Sequence, residues 1–420
     1  MMPQSPTRKL FIIFAALYFV QGTGELSAGL LSQPLRSMLK GWGRDTAEIA
    51  TFMFILGLPW YIKPLFGLVS DFIPIRGYRR KSYLILSSLL MICGFAAASL
   101  LPLSTAAGTA LLGLLLLPSF GVAFKDVATD AVMIEAGQPL GLTGRLQSAQ
   151  WGAIYAAGLF CGVAGGWISQ NEQQRLGFLA CALLGGVALY IAIFQIREEP
   201  RPELRRDQLR RAVRVLGQVV RTRTVLFVAA FYFLLNFNPF SADVLYVHMS
   251  SELGFPEQFI GLTYTLSSFA AILACVLYGL FAKRVPLRFL LHGSVAFMVL
   301  TSLVYIGLGT RTSAVWISLA YGFVYMVTSL TQLELAGRYC PPAAAGTVFA
   351  LLMSLSNLSV SLSSILGGRF YEAWKASLGT ETAYGLLVAV GAGFTALCWV
   401  LVPFFPKTRE GDGGRSESPE

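Results

Sequence analysis

Asp126 and Asp130 lie four residues apart in one apolar stretch, Lys63 lies in another, and Glu25 follows Gln21 by four residues among Gly22, Gly24 and Gly29. Ionisable groups in such surroundings cost several kcal/mol unless they are paired or meet water, so each is a candidate for function. Residues four apart share a helix face, so the two aspartates look the same way, whereas Glu135, nine positions beyond Asp126, points away from them. Lys63 precedes Asp71 by eight residues, about 12 Å of helix, and Asp126 precedes Glu135 by nine. The lysine and the aspartate pair therefore reach similar depth.

Two chemistries fit that cluster. In one, Lys63 neutralises one aspartate and leaves the other beside like charge, able to take up a proton and so to couple proton movement to a solute. In the other, Lys63 with Asp126, or Lys125 with Asp130, is a structural ion pair between helices. Glu25 is either a second proton site or a hydrogen-bonding partner for a neighbouring helix. In the segment NFNPFSAD, Asn236 and Asn238 either face a solute or satisfy the carbonyls that Pro239 frees, and Asp243 lies nearer the outer end. Catalysis has less to work with: His248 and His292 are the only histidines, neither joins an acid cluster, and no phosphate-cradling loop occurs. The six cysteines form no CxxC or Cys/His grouping, so no metal, cofactor or disulfide framework is expected, nor an enzyme such as a membrane-embedded transferase.

The elements that must position these groups are membrane spans. The 420 residues are 55% hydrophobic and 13% charged, against roughly a quarter charged in a soluble domain, and the mean hydropathy is +0.63. Twelve apolar runs of spanning length centre near Val20, Gly57, Cys93, Phe120, Ala157, Ala188, Leu235, Phe269, Phe297, Tyr325, Leu358 and Ala392. Most of the 32 Lys and Arg fall on one side if both termini are cytoplasmic, as the retention of basic loops requires. The net charge of +10 is then a topology signal and not a nucleic-acid footprint. The first run follows Arg8 and Lys9 but has no convincing cleavage site, and reads as an uncleaved helix.

The chain divides into a six-helix bundle over 1–196, a basic cytoplasmic linker over 197–223, a second six-helix bundle over 224–405 and a disordered tail over 406–420. The bundles echo each other. Thr129 with Asp130, Gly144 and Gly165-Gly166 recur at one constant offset as Thr331 with Gln332, Gly346 and Gly367-Gly368, and GLVSDFIPIR after the second span is echoed by GLFAKRVPLR after the eighth. The expectation is an all-α protein of the cell membrane, two pseudo-symmetric bundles with a site near the midplane between them, in the manner of major-facilitator transporters. Small residues in GLFCGVAGGW of the fifth span permit close helix contact.

The stretch GLVSDFIPIRGYRRK resembles the signature loop of that superfamily. The resemblance implies that Gly67, Asp71, Arg79 and Arg80 form a latch closing the two bundles on the inner side; the plainer alternative is that the cations only enforce topology. A finer resemblance runs through PWYIKPLFGLVSDFIPIRGYRRKSYL, YFVQG, KDVATDAVMIE and GRLQS, which are similar to the folate-biopterin transporter family. It is sharp over about the first 170 residues. It implies a secondary active transporter that imports folates or pterins, driven by protons, with no partner besides substrate, protons and lipid, acting as a monomer. Muropeptide and acetyl-coenzyme A carriers share a related Lys and Asp pattern, and a sensor on the same scaffold is a further alternative. On this resemblance Asp126 or Asp130 suits the N–H edge of a pterin, Lys63 suits a glutamyl carboxylate, and Tyr18, Trp60, Trp151, Tyr155, Tyr232 and Phe237 are candidates to stack on the ring.

Overall fold

The computed structural model describes residues 6–200, 214, 217, 218, 221–339 and 345–405. Most of the expected linker and the whole expected tail lie outside these residues. Among the described residues, ten helical stretches are long and apolar enough to cross a membrane, from Thr46–Phe72 to Thr380–Phe404, and each of the twelve anticipated centres falls inside a helix. The two apolar segments not among the ten are the first of each half, and both are interrupted.

Helix α1 (Pro6–Gly24) stops where the glycines begin. The chain then turns through residues 25–31, with the Leu30 amide donating to the Thr23 carbonyl at 2.9 Å and the Gly29 amide to that of Glu25 at 2.7 Å, before α2 (Ser32–Gly41). The second bundle repeats this after the helices α3 (Thr46–Tyr61), α4 (Lys63–Phe72), α5 (Lys81–Leu100), α6 (Gly108–Gly137), α7 (Thr143–Gln170) and α8 (Gln174–Tyr190). Helix α9 (Arg223–Asn236) gives way at the Asn-Pro stretch and resumes as the short α10 (Ala242–Val247). Then follow α11 (Glu257–Phe281), α12 (Leu287–Val304), α13 (Arg311–Tyr339), α14 (Ala345–Leu378), α15 (Thr380–Ala396) and the single turn α16 (Cys398–Leu401).

Glycines set how the halves meet. On α7, Gly158 and Gly162 press on the side chains of Ser268 and Thr265 of α11, and Gly162 and Gly166 press on the backbone of Gly261, so glycines on both helices permit close contact. The glycine pairs singled out by the repeat have matching jobs. Gly165 faces the Leu30 carbonyl of its own half's interrupted helix while Gly166 faces α11 of the other half; Gly367 faces the Pro239 carbonyl of its own half while Gly368 faces Thr46 and Ala47 of the other. A Cβ on Gly367 would overlap the Pro239 carbonyl oxygen, whereas one on Gly279 meets nothing within 4 Å. Gly367→Ala is therefore expected to lower the melting temperature of detergent-solubilised protein by several degrees, through backbone displacement worth about 1–3 kcal/mol, with Gly279→Ala unchanged. Equal melts for both variants would contradict the packing described.

Candidate functional site

Lys63 sits where its span breaks. Pro59 occupies the last turn of α3 and Pro64 opens α4; a proline supplies no amide to the helical ladder, and the discontinuity makes Lys63 the first residue of the new segment. Its ammonium pairs with the Asp126 carboxylate of α6, the two side chains being 15% and 5% exposed, and lies 4.8 Å over the Trp60 ring. One turn on, Asp130 accepts from the Tyr18 hydroxyl of α1 at 2.5 Å and from Gln150 Nε2 of α7 at 3.1 Å. Lys125 is fully buried and its Nζ has no hydrogen-bond partner, so of the two ion pairs weighed from the sequence, Lys63 with Asp126 is formed and Lys125 with Asp130 is not.

Glu25 is the residue after α1 ends and accepts from Ser27 Oγ at 2.7 Å. Gln21, a turn earlier, is buried with Oε1 lacking a hydrogen-bond partner. Gly24, the residue before Glu25, faces Val122 of α6, one turn before Asp126. Two helix breaks and the unbroken α6 thus bring Glu25, Lys63, Asp126 and Asp130 to one region, in which Lys63 is paired with Asp126. The asparagines stand apart: Asn236 Nδ2 donates to the Tyr232 carbonyl at 2.8 Å and Asn238 Oδ1 accepts the Phe240 amide at 3.0 Å. Both serve backbone around Pro239.

The signature loop turns at Arg76 and Gly77, both at positive φ (54° and 84°), which explains a glycine there. Arg80 is buried; it pairs with Asp71 and with Glu135, the latter at 3.2 Å, and donates to Ser70 Oγ at 2.7 Å. The amides of Arg79, Arg80 and Lys81 converge on the Glu198 carboxylate at 2.7, 3.0 and 2.8 Å. The side-chain partners belong to the first half, and Glu198 to the start of the linker. Arg79 Nε is buried without a hydrogen-bond partner, and Gly67 makes only an ordinary contact with Val127. A cavity of about 450 Å³ opens beside them, lined by Arg79, Glu135, Gln138 and Pro139.

At the opposite end the halves are bonded to each other. Arg36 Nε donates to Asp243 Oδ1 at 2.6 Å, and Ser364 of α14 donates to Oδ2 of the same carboxylate; Arg36 also donates to the Ser32 carbonyl at 3.1 Å. Beside this pair, Gln33 Nε2 donates to Glu257 at 2.7 Å and Thr46 Oγ1 to Glu372 at 2.5 Å. Sequence reasoning missed Arg36, Glu198 and the bond to Asp243. An aspartate following Asn-Pro in an apolar segment does ask for a cation, but its partner is 207 residues away. Of the six aromatic candidates, Tyr18 and Tyr232 are fully buried and Trp60 and Phe237 nearly so. Trp151 and Tyr155 remain half-buried and stack at 6.2 Å.

The BT1 family model matches residues 25–412. A folate-biopterin transporter of Synechocystis sp. is 32% identical over 380 residues, covering 86% of this chain and 74% of that protein. A probable folate-biopterin transporter of Arabidopsis thaliana is 24% identical, covering 84% and 86%. Among solved structures, a nucleoside transporter superposes with a TM-score of 0.72 at 14% identity, over 94% of this chain and 100% of that one. A D-xylose-proton symporter does so with 0.70 at 13%, over 93% and 97%. Likenesses at such identity bear on the fold alone, which is the major-facilitator fold.

Proposed function

Since the chain belongs to the BT1 family and is a multi-pass membrane transporter, we propose that it imports folates or pterins by alternating access, coupled to protons. The observation that carries the coupling is that Lys63 pairs with Asp126 while Asp130, one turn on, is held by Tyr18 and Gln150, with Glu25 in the same region. Three carboxylates cannot all stay ionised at low cost in a medium of low dielectric with one paired ammonium. Asp130, held by a phenol and an amide instead of a cation, is the group that keeps the proton. Opening to water on one side and then the other lets it load and unload.

The interrupted α1 and the α9–α10 pair complete twelve spans, and the basic loops put both termini in the cytoplasm. On that reading the Arg36 end faces outward and is closed here. Asp71, Arg79 and Arg80, with Gly67 allowing close approach, form the inner latch, which has no counterpart to engage until the outer face opens. Lys63 is the cation for a glutamyl carboxylate.

The test is uptake of labelled folic acid and of pterin into proteoliposomes, with and without an inward proton gradient. Wild type should respond to the gradient by about tenfold or more, and Asp130→Asn should take up substrate without responding to it. Uptake of neither compound by folded protein would overturn the substrate class, with muropeptides and acyl-coenzyme A compounds next to assay.

A further inference from the structure

The charged cluster belongs entirely to the first half, and what faces it from the second half is aromatic. Tyr264 of α11 and Tyr325 of α13 are 40% and 42% exposed. In a membrane protein such exposure can mean lipid, but these two rings point elsewhere. The Tyr264 hydroxyl donates to the Ala28 carbonyl in the interrupted first helix at 2.6 Å, and Met326, the residue after Tyr325, meets Tyr155 of the first half. A lipid-facing ring of the second half could not reach that carbonyl. Their open surface therefore borders the space between the halves.

Around them the wall continues. Tyr321 stacks on Tyr325 with centroids 5.7 Å apart and planes 21° apart. From the first half, Tyr155 reaches across to the sulfur of Met326 at 2.8 Å and stacks in turn on Trp151. Tyr155 packs with Met326 of α13 and with Ala271 and Ala274 of α11, so α7, α11 and α13 meet beside these rings. Stacked, half-open aromatic faces bind flat π-systems, and one acceptor, the Glu25 carboxylate, lies three residues before Ala28, whose carbonyl Tyr264 bonds.

We propose that Tyr264, Tyr321 and Tyr325, extended by Tyr155 and Trp151, form a subsite for a planar heteroaromatic ring, with Glu25 receiving N–H donors on the ring edge. The subsite deepens the transport reading and rests on it: for a folate it takes the pterin ring, leaving the glutamyl end to Lys63. The second half thereby supplies the recognition of ring shape, and the first half supplies charge.

Equilibrium binding of pterin and of folic acid to the full chain in detergent tests this, with melting temperature measured alongside. Tyr325→Ala should weaken both ligands about ten- to hundredfold, whereas Tyr325→Phe, which keeps the ring, should stay within about threefold of wild type. Tyr321→Ala should repeat the loss. Both alanine variants should melt as wild type does. If wild type binds pterin and Tyr325→Ala binds it equally well, the subsite is wrong and the transport reading stands. If folded wild type binds neither ligand, the reading falls and the subsite with it.

Discussion

Lys63→Ala is expected to abolish uptake and to destabilise the protein by about 3–5 kcal/mol, the usual cost of stranding one partner of a buried ion pair. Asp126 is 5% exposed on its side chain and, among the described residues, forms its ion pair with that ammonium. The double variant Lys63→Ala with Asp126→Ala removes both charges, so it should regain most of the stability and none of the transport. Thermal melts and proteoliposome uptake, read together, separate the two chemistries that fit these residues. A double variant that transports would make the pair a structural clamp. A single variant that melts and transports like wild type would mean that the pair does not hold these helices at all.

Arg36→Ala should open the face that the structure shows closed. Arg36 and Asp243 are 8% and 3% exposed, and the carboxylate is also held by Ser364. Removing the guanidinium leaves Asp243 buried and uncompensated in the closed arrangement but hydrated in an open one, so the penalty falls on one state only. A difference of about 3–5 kcal/mol shifts the balance between the states by about a hundredfold or more. A cysteine replacing Gln33, whose side chain bonds Glu257 across the same face, reports this in a background without native cysteines. Its labelling by an impermeant maleimide should accelerate about tenfold or more in Arg36→Ala and much less in Arg36→Lys. Unchanged labelling with unchanged uptake would show that the pair does not control that face.

The span centres, the repeat and the Lys63–Asp126 pairing were legible because each is written locally: apolar run length, glycine spacing, and helical depth counted from the loop. Asp126 and Asp130 share a helix, and their common direction follows from their spacing. What stayed hidden depends on contacts between distant parts of the chain. Arg36 lies in a segment that reads as an outer loop, and its burial arises only when α10 of the other half closes over it. Glu198 reads as one more charge at the start of a charged linker until three consecutive amides are seen to point at it. For Asn236 and Asn238 the sequence leaves open whether they face a solute or serve backbone; in the structure each side chain bonds backbone nearby, at Tyr232 and at Phe240. Tyr264, Tyr321 and Tyr325 were hidden among 30 Phe, 16 Tyr and 7 Trp, since composition does not say which rings face a cavity.

The paired glycines act as a mechanical transmission. Gly165 seats the interrupted helix that begins at Glu25, and its neighbour Gly166 bears on the opposite half; Gly367 and Gly368 do the same in mirror role. A displacement of the segment after Glu25 is thus delivered to the boundary between the halves through backbone alone. Rotatable side chains would absorb part of such a stroke, as slack does in a gear train. Bare backbone has no slack, so a shift of the segment after Glu25 is passed on to the boundary between the halves.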